Sequence, residues 1–187
     1  MFPDVKLRLP GWVAEFCESW TGSFATVEER MAFVIALAQE NVKRDAGGPF
    51  AAAIFDCDNE KLVAPGINMV IPASCSPAHA EIMAIMVAQQ VMGTHNLGAE
   101  RLPLLELVSS TEPCAMCMGA VPWSGVSRLV CAARGEDAIA IGFDEGAKPP
   151  EWQTELAKRG ITVIRDIHRP EGAAILQQYT KQGGSIY

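Results

Sequence analysis

Two short stretches of the chain carry side chains suited to hydrolysis at a metal ion: His79-Ala80-Glu81 and Pro113-Cys114-Ala115-Met116-Cys117. Cys114 and Cys117 are three apart, so on a helix they project from one face and can grip a single ion. At the start of a helix their thiols are also easier to ionise, which favours the thiolate that zinc needs. His79, well upstream at the start of a different helix, offers a neutral imidazole as third ligand, and three protein ligands leave zinc an open position for water. Glu81, two residues from His79, points in another direction on a regular helix and is better placed beside that water, as a carboxylate that takes a proton and delivers it to a substrate.

Plainer readings use the same residues. A lone Cys-x-x-Cys also serves as a dithiol redox pair, which predicts a reversible Cys114–Cys117 disulfide and a metal-free protein. A closed structural zinc site is a second alternative, with Cys75 joining His79, Cys114 and Cys117 at acceptable Cys-x3-His spacing; it leaves Glu81 without a role. The six cysteines are too few and too irregularly spaced for a disulfide scaffold.

Positioning these groups requires helices that begin where strands end. Thr26-Val27-Glu28-Glu29 fits a capping box, and Met31, Val34, Ile35, Ala38 and Val42 recur at helical spacing, which predicts a helix over 27–45 ended by Gly47-Gly48-Pro49. Residues 50–56 and then 61–63 with 67–71 read as a hairpin with an irregularity at Pro65-Gly66. Ser76 and Pro77 read as the cap and first position of a helix over 77–92. A buried strand is expected over 104–109, a helix opening at Cys114 and kinked or ended by Pro122, a strand over 128–133, a helix with a solvated face over 151–158, a strand over 161–167 and a last helix over 171–181. Residues 1–25 read as an N-terminal arm or helix packed on a single domain spanning 26–187. Helices alternating with strands imply an α/β fold, a three-layer α/β/α sandwich with a central mixed sheet. Its ligand site is expected beyond the strand ends, where helix N-termini converge.

Composition bounds the partners. Of 187 residues, 49% are apolar and 20% charged, enough for one sizeable core, and the formal charge is −7 with no basic stripe. A long nucleic acid is not an expected partner. No stretch is apolar enough to cross a membrane, and the first residues lack the order of a secretory signal, so a cytoplasmic protein is expected.

The pattern His79-x-Glu81 followed by Pro113-Cys114-x-x-Cys117 matches the H-x-E…P-C-x-x-C signature of zinc nucleobase deaminases, and the chain resembles the cytidine deaminase-like superfamily. Pro49-Phe50-Ala51-Ala52 is similar to that family's Pro-Phe-Gly-Ala strand start, with Ala51 where glycine is usual, and Asn68 is similar to its substrate-binding asparagine. Gly119-Ala120-Val121-Pro122-Trp123, Gly142-Phe143-Asp144-Glu145 and the final Tyr187 most resemble the bacterial guanine deaminases, from which Pro122 in the metal helix and a longer arm depart. The resemblance implies one zinc ion held by His79, Cys114 and Cys117, attack of its water on C2 of guanine, and release of xanthine and ammonia. It implies Glu81 as proton carrier and Glu145 as second acid, and a substrate set of Asn68, Phe50, Ala80, Trp123, Asp144 and Tyr187. It also implies a homodimer, with C-terminal tails exchanged between protomers in some members, and room for other aminated heterocycles such as aminotriazines. Cytosine, cytidine, a nucleotide or a tRNA adenosine stand as alternative substrates, and a non-catalytic zinc-stabilised binding domain as an alternative of another class. On residue types alone Asn68 reads equally as a turn cap, Phe50 and Trp123 as core, and Asp144 and Glu145 as solvated.

Overall fold

Residues 51–56 are buried on both sides: Ala51, Ala53 and Phe55 enter one apolar cluster, Ala52 and Ile54 another. A strand covered on both faces lies inside a sheet with a helix layer on each side, and that is the architecture of the computed structural model, which describes residues 2 and 4–187. In chain order the elements are α1 (Gly11–Ser19), α2 (Val27–Lys43), β1 (Ala51–Asp56), β2 (Lys61–Ile67), α3 (Ala80–Met92), β3 (Leu105–Thr111), α4 (Ala115–Ser124), β4 (Arg128–Ala133), α5 (Gly135–Ile139), α6 (Trp152–Ala157), β5 (Thr162–Ile164) and α7 (Arg169–Lys181). The sheet runs β2-β1-β3-β4-β5. β1 is antiparallel to both neighbours, whereas β3, β4 and β5 are parallel. Residues of α2 and α7 fill one layer, and residues of α3, α4 and α6 fill the other. This is the expected mixed α/β/α sandwich.

The arm folds as α1 and buries Val13 against the α2 layer; its first and third positions lie outside the described residues. The capping box at the start of α2 forms as the sequence implies, with Glu29 N–H donating to Thr26 Oγ1 at 3.2 Å and Thr26 N–H donating to Glu29 Oε2 at 2.9 Å.

Several boundaries differ from expectation for identifiable reasons. β2 continues through Pro65 and Gly66, because an edge strand tolerates proline, and the irregularity falls instead opposite Ile54 and Phe55. Gly66 is required there: a Cβ would stand 2.3 Å from the Ala80 carbonyl oxygen of α3. α3 starts at Ala80, not residue 77: Ser76 and Pro77 lie in a turn closed by Ala78 N–H on the Cys75 carbonyl at 3.0 Å, and Met69 N–H bonds the Ala78 carbonyl at 2.9 Å. β5 is cut short before a connection in which Asp166 and His168 take left-handed backbone (φ 67° and 54°), held by Arg134 on Asp166 at 2.8 and 3.0 Å. α5 was not foreseen, and α6 is not simply a solvated face, since its Trp152 and Leu156 are buried.

Two ion pairs that share one carboxylate tie three elements through the core. Glu106 of β3, completely buried, accepts from Arg30 of α2 and from Arg128 Nε of β4 at 2.6 Å. Arg30 Nη1 also donates to the Phe24 and Ala25 carbonyls at 2.6 and 3.0 Å, which anchors the guanidinium. Truncating one partner strands charge in a low-dielectric interior. Arg30→Met is therefore expected to lower the unfolding free energy by about 3 kcal/mol, read as a fall in the urea midpoint. A midpoint unchanged from wild type would show that this pair contributes nothing.

Candidate active site

Because β1 runs antiparallel to β3, the start of β1 lies beside the end of β3, with Ala52 opposite Ser109. The loop before β1, the loop leaving β3 and the N-termini of α3 and α4 therefore meet at one edge of the sheet. Ala51 N–H donates to Ser110 Oγ at 3.1 Å and fastens this junction.

His79 is the N-cap residue of α3 and Cys114 that of α4, both in extended backbone, and Cys117 lies one turn further along α4. The ligand atoms of His79, Cys114 and Cys117 all fall within 4.8 Å of one another. Cys114 Sγ stands 3.6 Å from His79 Nδ1, and adjacent N and S ligands of a tetrahedral zinc are about 3.5 Å apart at ordinary bond lengths. One nitrogen and two sulfurs, half-buried to buried and open on one side to a pocket, fit zinc. Cys75 is not part of this group.

Electrostatics at the cluster favours a thiolate. A hydrogen bond from the Cys117 thiol, with help from His79 and against the cost of burial, brings the Cys114 pKa down to about 4. Cys117 is held protonated by the same bond and by burial. Burial opposes a charge on His79, but its contact with Cys114 and the nearby Glu81 carboxylate outweigh this and raise its pKa. The free N–H groups and dipoles at two helix N-termini act in the same sense on the thiols.

Glu81, in the first turn of α3, is buried and its carboxyl is pushed up, chiefly by burial and then by Cys114. Glu145 approaches from the loop after α5 and is raised to about 7, again mainly by burial and against the pull of Lys148. Its backbone carbonyl accepts from Ala115 N–H at 2.9 Å, which fixes the loop to α4. His79, Glu81, Cys114, Asp144 and Glu145 all face one narrow pocket, with Glu112 among its polar lining. Asp144 is engaged locally, accepting from Gly146 N–H at 2.8 Å.

The other walls are aromatic. Phe50 and Phe143 meet edge to face at 4.9 Å between ring centroids, and Tyr187 meets Phe143 at 5.2 Å. Burial raises the Tyr187 phenol pKa, leaving a neutral wall. Asn68 is fully buried behind this corner. A Cβ on Gly48 would stand 2.2 Å from Tyr187 Oη and 3.1 Å from Asn68 Oδ1, so only glycine leaves both where they are. Asn68 Oδ1 accepts from Gly48 N–H at 3.4 Å and Val70 N–H at 3.2 Å, while its Nδ2 has no partner. The side chain thus presents a donor alone, where residue type had suggested a donor and an acceptor.

Asn68, fully buried behind the aromatic corner, is not itself part of the pocket lining, and two further expected residues lie away from it. Trp123, 85% exposed, sits near the C-terminal end of α4 on its outer side and lines no part of the pocket. Ala80 is fully buried in the α3 layer and does not reach the pocket either. Conversely, Phe143 and Glu112 line the pocket although the residue-by-residue reading gave them no role. The signal for Phe143 was its place inside the Gly142–Glu145 segment, and Glu112 had only its adjacency to Pro113.

Residues 25–133 match the family described as the cytidine and deoxycytidylate deaminase zinc-binding region. A guanine deaminase structure from Nitrosomonas europaea is 46% identical, with 97% of this chain and 98% of that chain superposed at a TM-score of 0.90. A protein crystallised in complex with 2,6-diaminopurine is 47% identical over 98% of this chain and 96% of its own, at a TM-score of 0.91. The guanine deaminase of Bacillus subtilis is 39% identical over 126 residues, covering 64% of this chain and 76% of that protein.

The thiol chemistry can be read directly. After chelation of metal, iodoacetamide at pH 6 is expected to label Cys114 well before Cys17, whose pKa burial raises to about 11. Added zinc is expected to protect Cys114, as followed by peptide mass spectrometry. Equal labelling of the two, or no protection, would contradict this geometry.

Proposed function

Since the chain belongs to the cytidine and deoxycytidylate deaminase zinc-binding family, we propose that it hydrolyses free guanine to xanthine and ammonia. The observation that carries the choice of base is the match over nearly the whole chain to the Nitrosomonas guanine deaminase. His79, Cys114 and Cys117 would hold one zinc ion per chain, with the remaining coordination position left to solvent. When bound, zinc supplies the Lewis acidity that makes water nucleophilic near neutral pH.

The side chains then divide the proton work. Glu81, its carboxyl raised by burial, accepts a proton from the attacking water and passes it to a ring nitrogen of the base. Glu145, raised to about 7, is available in its protonated form to hold and protonate the departing 2-amino group. Asp144, occupied by its own turn, is the weaker candidate for that role. Asn68, with Oδ1 already spent on two backbone N–H groups, has only N–H left to offer, which suits an acceptor such as O6 or N7 of guanine. The same position in adenine carries an amino donor in place of O6, and two facing donors repel. Phe50, Phe143 and Tyr187 enclose the flat base and exclude water. Aminotriazines share the flat shape and the exocyclic amine, and fall within the range such a pocket admits.

Assembly and placement complete the reading. Trp123 is 85% exposed on α4, with Met116 of α4 also exposed, and so large an apolar side chain in water suits burial by a second copy of the chain. Within one chain the tail is held by Tyr179 Oη donating to the Ser185 carbonyl at 2.8 Å, and a homodimer, with or without exchange of C-terminal tails, is the assembly in this reading. No helix among the described residues is long and apolar enough to cross a membrane. A cytoplasmic role in purine breakdown accords with a free-base substrate.

The decisive measurement is ammonia release by zinc-loaded protein from guanine, adenine, cytosine, guanosine, cytidine and deoxycytidylate. Guanine is the expected substrate, and Glu81→Gln is expected to lower its kcat by about 10²- to 10⁴-fold while zinc content stays at one per chain. Turnover of a different base alone would overturn the assignment of Asn68. Silence across the panel, or full activity in the variant, would overturn the catalytic reading itself. Trp123→Asp is expected to shift the sedimentation coefficient from dimer to monomer; an unchanged dimer would place the contact elsewhere.

A further inference from the structure

Behind the pocket's second carboxyl stands a cation that does not line the pocket. Lys148 Nζ donates to the Pro113 carbonyl at 3.0 Å and to Glu145 Oε2 at 3.4 Å, and lies 3.8 Å from Glu112 Oε2. An ammonium has three N–H donors, and here three acceptors converge on it: the carboxyl proposed as second acid, the residue preceding the metal-ligand helix, and a buried glutamate at the end of β3. We propose that Lys148 is a positioning residue for Glu145, holding its carboxyl in register with the first turn of α4. The proposal rests on the role given to Glu145 above.

The surroundings form a fixed frame around Lys148. Glu112 is immobilised from its other side, where Oε1 accepts from Arg165 Nε at 2.5 Å, and Oε2 also accepts from Gly135 N–H at 3.1 Å. Trp152 of α6 backs the ammonium, with its ring centroid 5.2 Å from Nζ. A Cβ on Gly135 would lie 3.0 Å from Lys148 Nζ, 3.3 Å from Glu145 Oε2 and 3.6 Å from Glu112 Oε2, so the chain leaves no space here for any other side chain. Lys148 and Glu145 also share one tight loop, closed by Lys148 N–H on the Gly146 carbonyl at 2.8 Å, with Gly146 in left-handed backbone. Without the ammonium, the Glu145 carboxyl loses the donor that ties it to the Pro113 carbonyl and Glu112, and Glu145 would swing away from the pocket. A displacement of about 1 Å in a reacting group is enough to cost a hundredfold in rate.

A double-mutant cycle separates positioning from bulk stability. The variants are Lys148→Met, Lys148→Arg, Glu145→Gln and the Lys148→Met/Glu145→Gln pair, each assayed zinc-loaded on whichever base of the panel the wild type turns over fastest. A wrong choice of base therefore fails the functional reading without disturbing the cycle. Lys148→Met is expected to lower kcat by about 10- to 100-fold with KM within about threefold of wild type and zinc still bound. Lys148→Arg is expected to restore most of kcat. In the Glu145→Gln background, Lys148→Met is expected to add less than about threefold, because the group it positions is already gone. Equal costs in both backgrounds, an unchanged kcat, or loss of zinc from Lys148→Met would each overturn the proposal. Should Lys148→Met fail to fold, Lys148→Gln removes the charge while keeping a polar side chain and is expected to give a kcat loss in the same direction and the same non-additivity with Glu145→Gln; additivity there overturns the proposal too.

Discussion

Two helices begin at the same point in space, and the molecule is arranged to keep them there. His79 and Cys114 are the residues at which α3 and α4 start, so a nitrogen and a sulfur ligand sit where unsatisfied backbone N–H groups concentrate positive potential. That potential, with the Cys117 thiol, makes a thiolate of Cys114 at ordinary pH. Beside the cluster, burial raises the pKa of the Glu81 and Glu145 carboxyls. The antiparallel placement of β1 against β3 then carries Phe50 and the Gly47-Gly48 turn to the same edge, so that metal, acid and aromatic groups share one pocket.

The central strand is paid for by a repeated device. Glu106 and Glu112, six apart along and just beyond β3, are both buried, and each is met by two cations from other elements: Arg30 and Arg128 for the first, Arg165 and Lys148 for the second. Burying such charges costs several kcal/mol per ion before pairing, so each carboxylate accepts only an arrangement that brings both cations in. The first cluster joins α2 to β4 across β3 at the end remote from the pocket. The second joins the turn after β5 and the Glu145 loop to the start of α4 at the pocket itself. Fold register and site geometry are thus set by the same kind of bond at opposite ends of one strand.

The chemistry was legible because it resides in residue types at short spacings. His79, Glu81, Cys114 and Cys117 announce themselves in two stretches of five residues or fewer, and Thr26 to Glu29 announces a helix start just as locally. The mixed sandwich followed from the alternation of helical and extended patterns. What the sequence hid depends on rotation and on long-range contact. Whether Trp123 faces the pocket or the solvent is decided by how α4 sits on the sheet, which its uniformly apolar run does not encode. Asn68 lost its acceptor to Gly48 and Val70, one of them twenty positions away. α3 starts later than Ser76-Pro77 implies because those residues are taken into a turn closed on Cys75, and a bond from Met69 occupies the Ala78 carbonyl. Lys148, one exposed-looking cation among fifteen basic residues, gave no local sign of its three partners.

The aromatic wall is assembled from the beginning, the late middle and the very end of the sequence: Phe50, Phe143 and Tyr187. Contacts between such distant positions carry the largest loop-closure cost and tend to form after local ones. The metal ligands, by contrast, come from two helices separated by a single strand. The ligand set draws on residues 79–117 alone, whereas the aromatic wall draws on residues 50–187, so a change far from the metal ligands can open the pocket while the ligand set stays as it is.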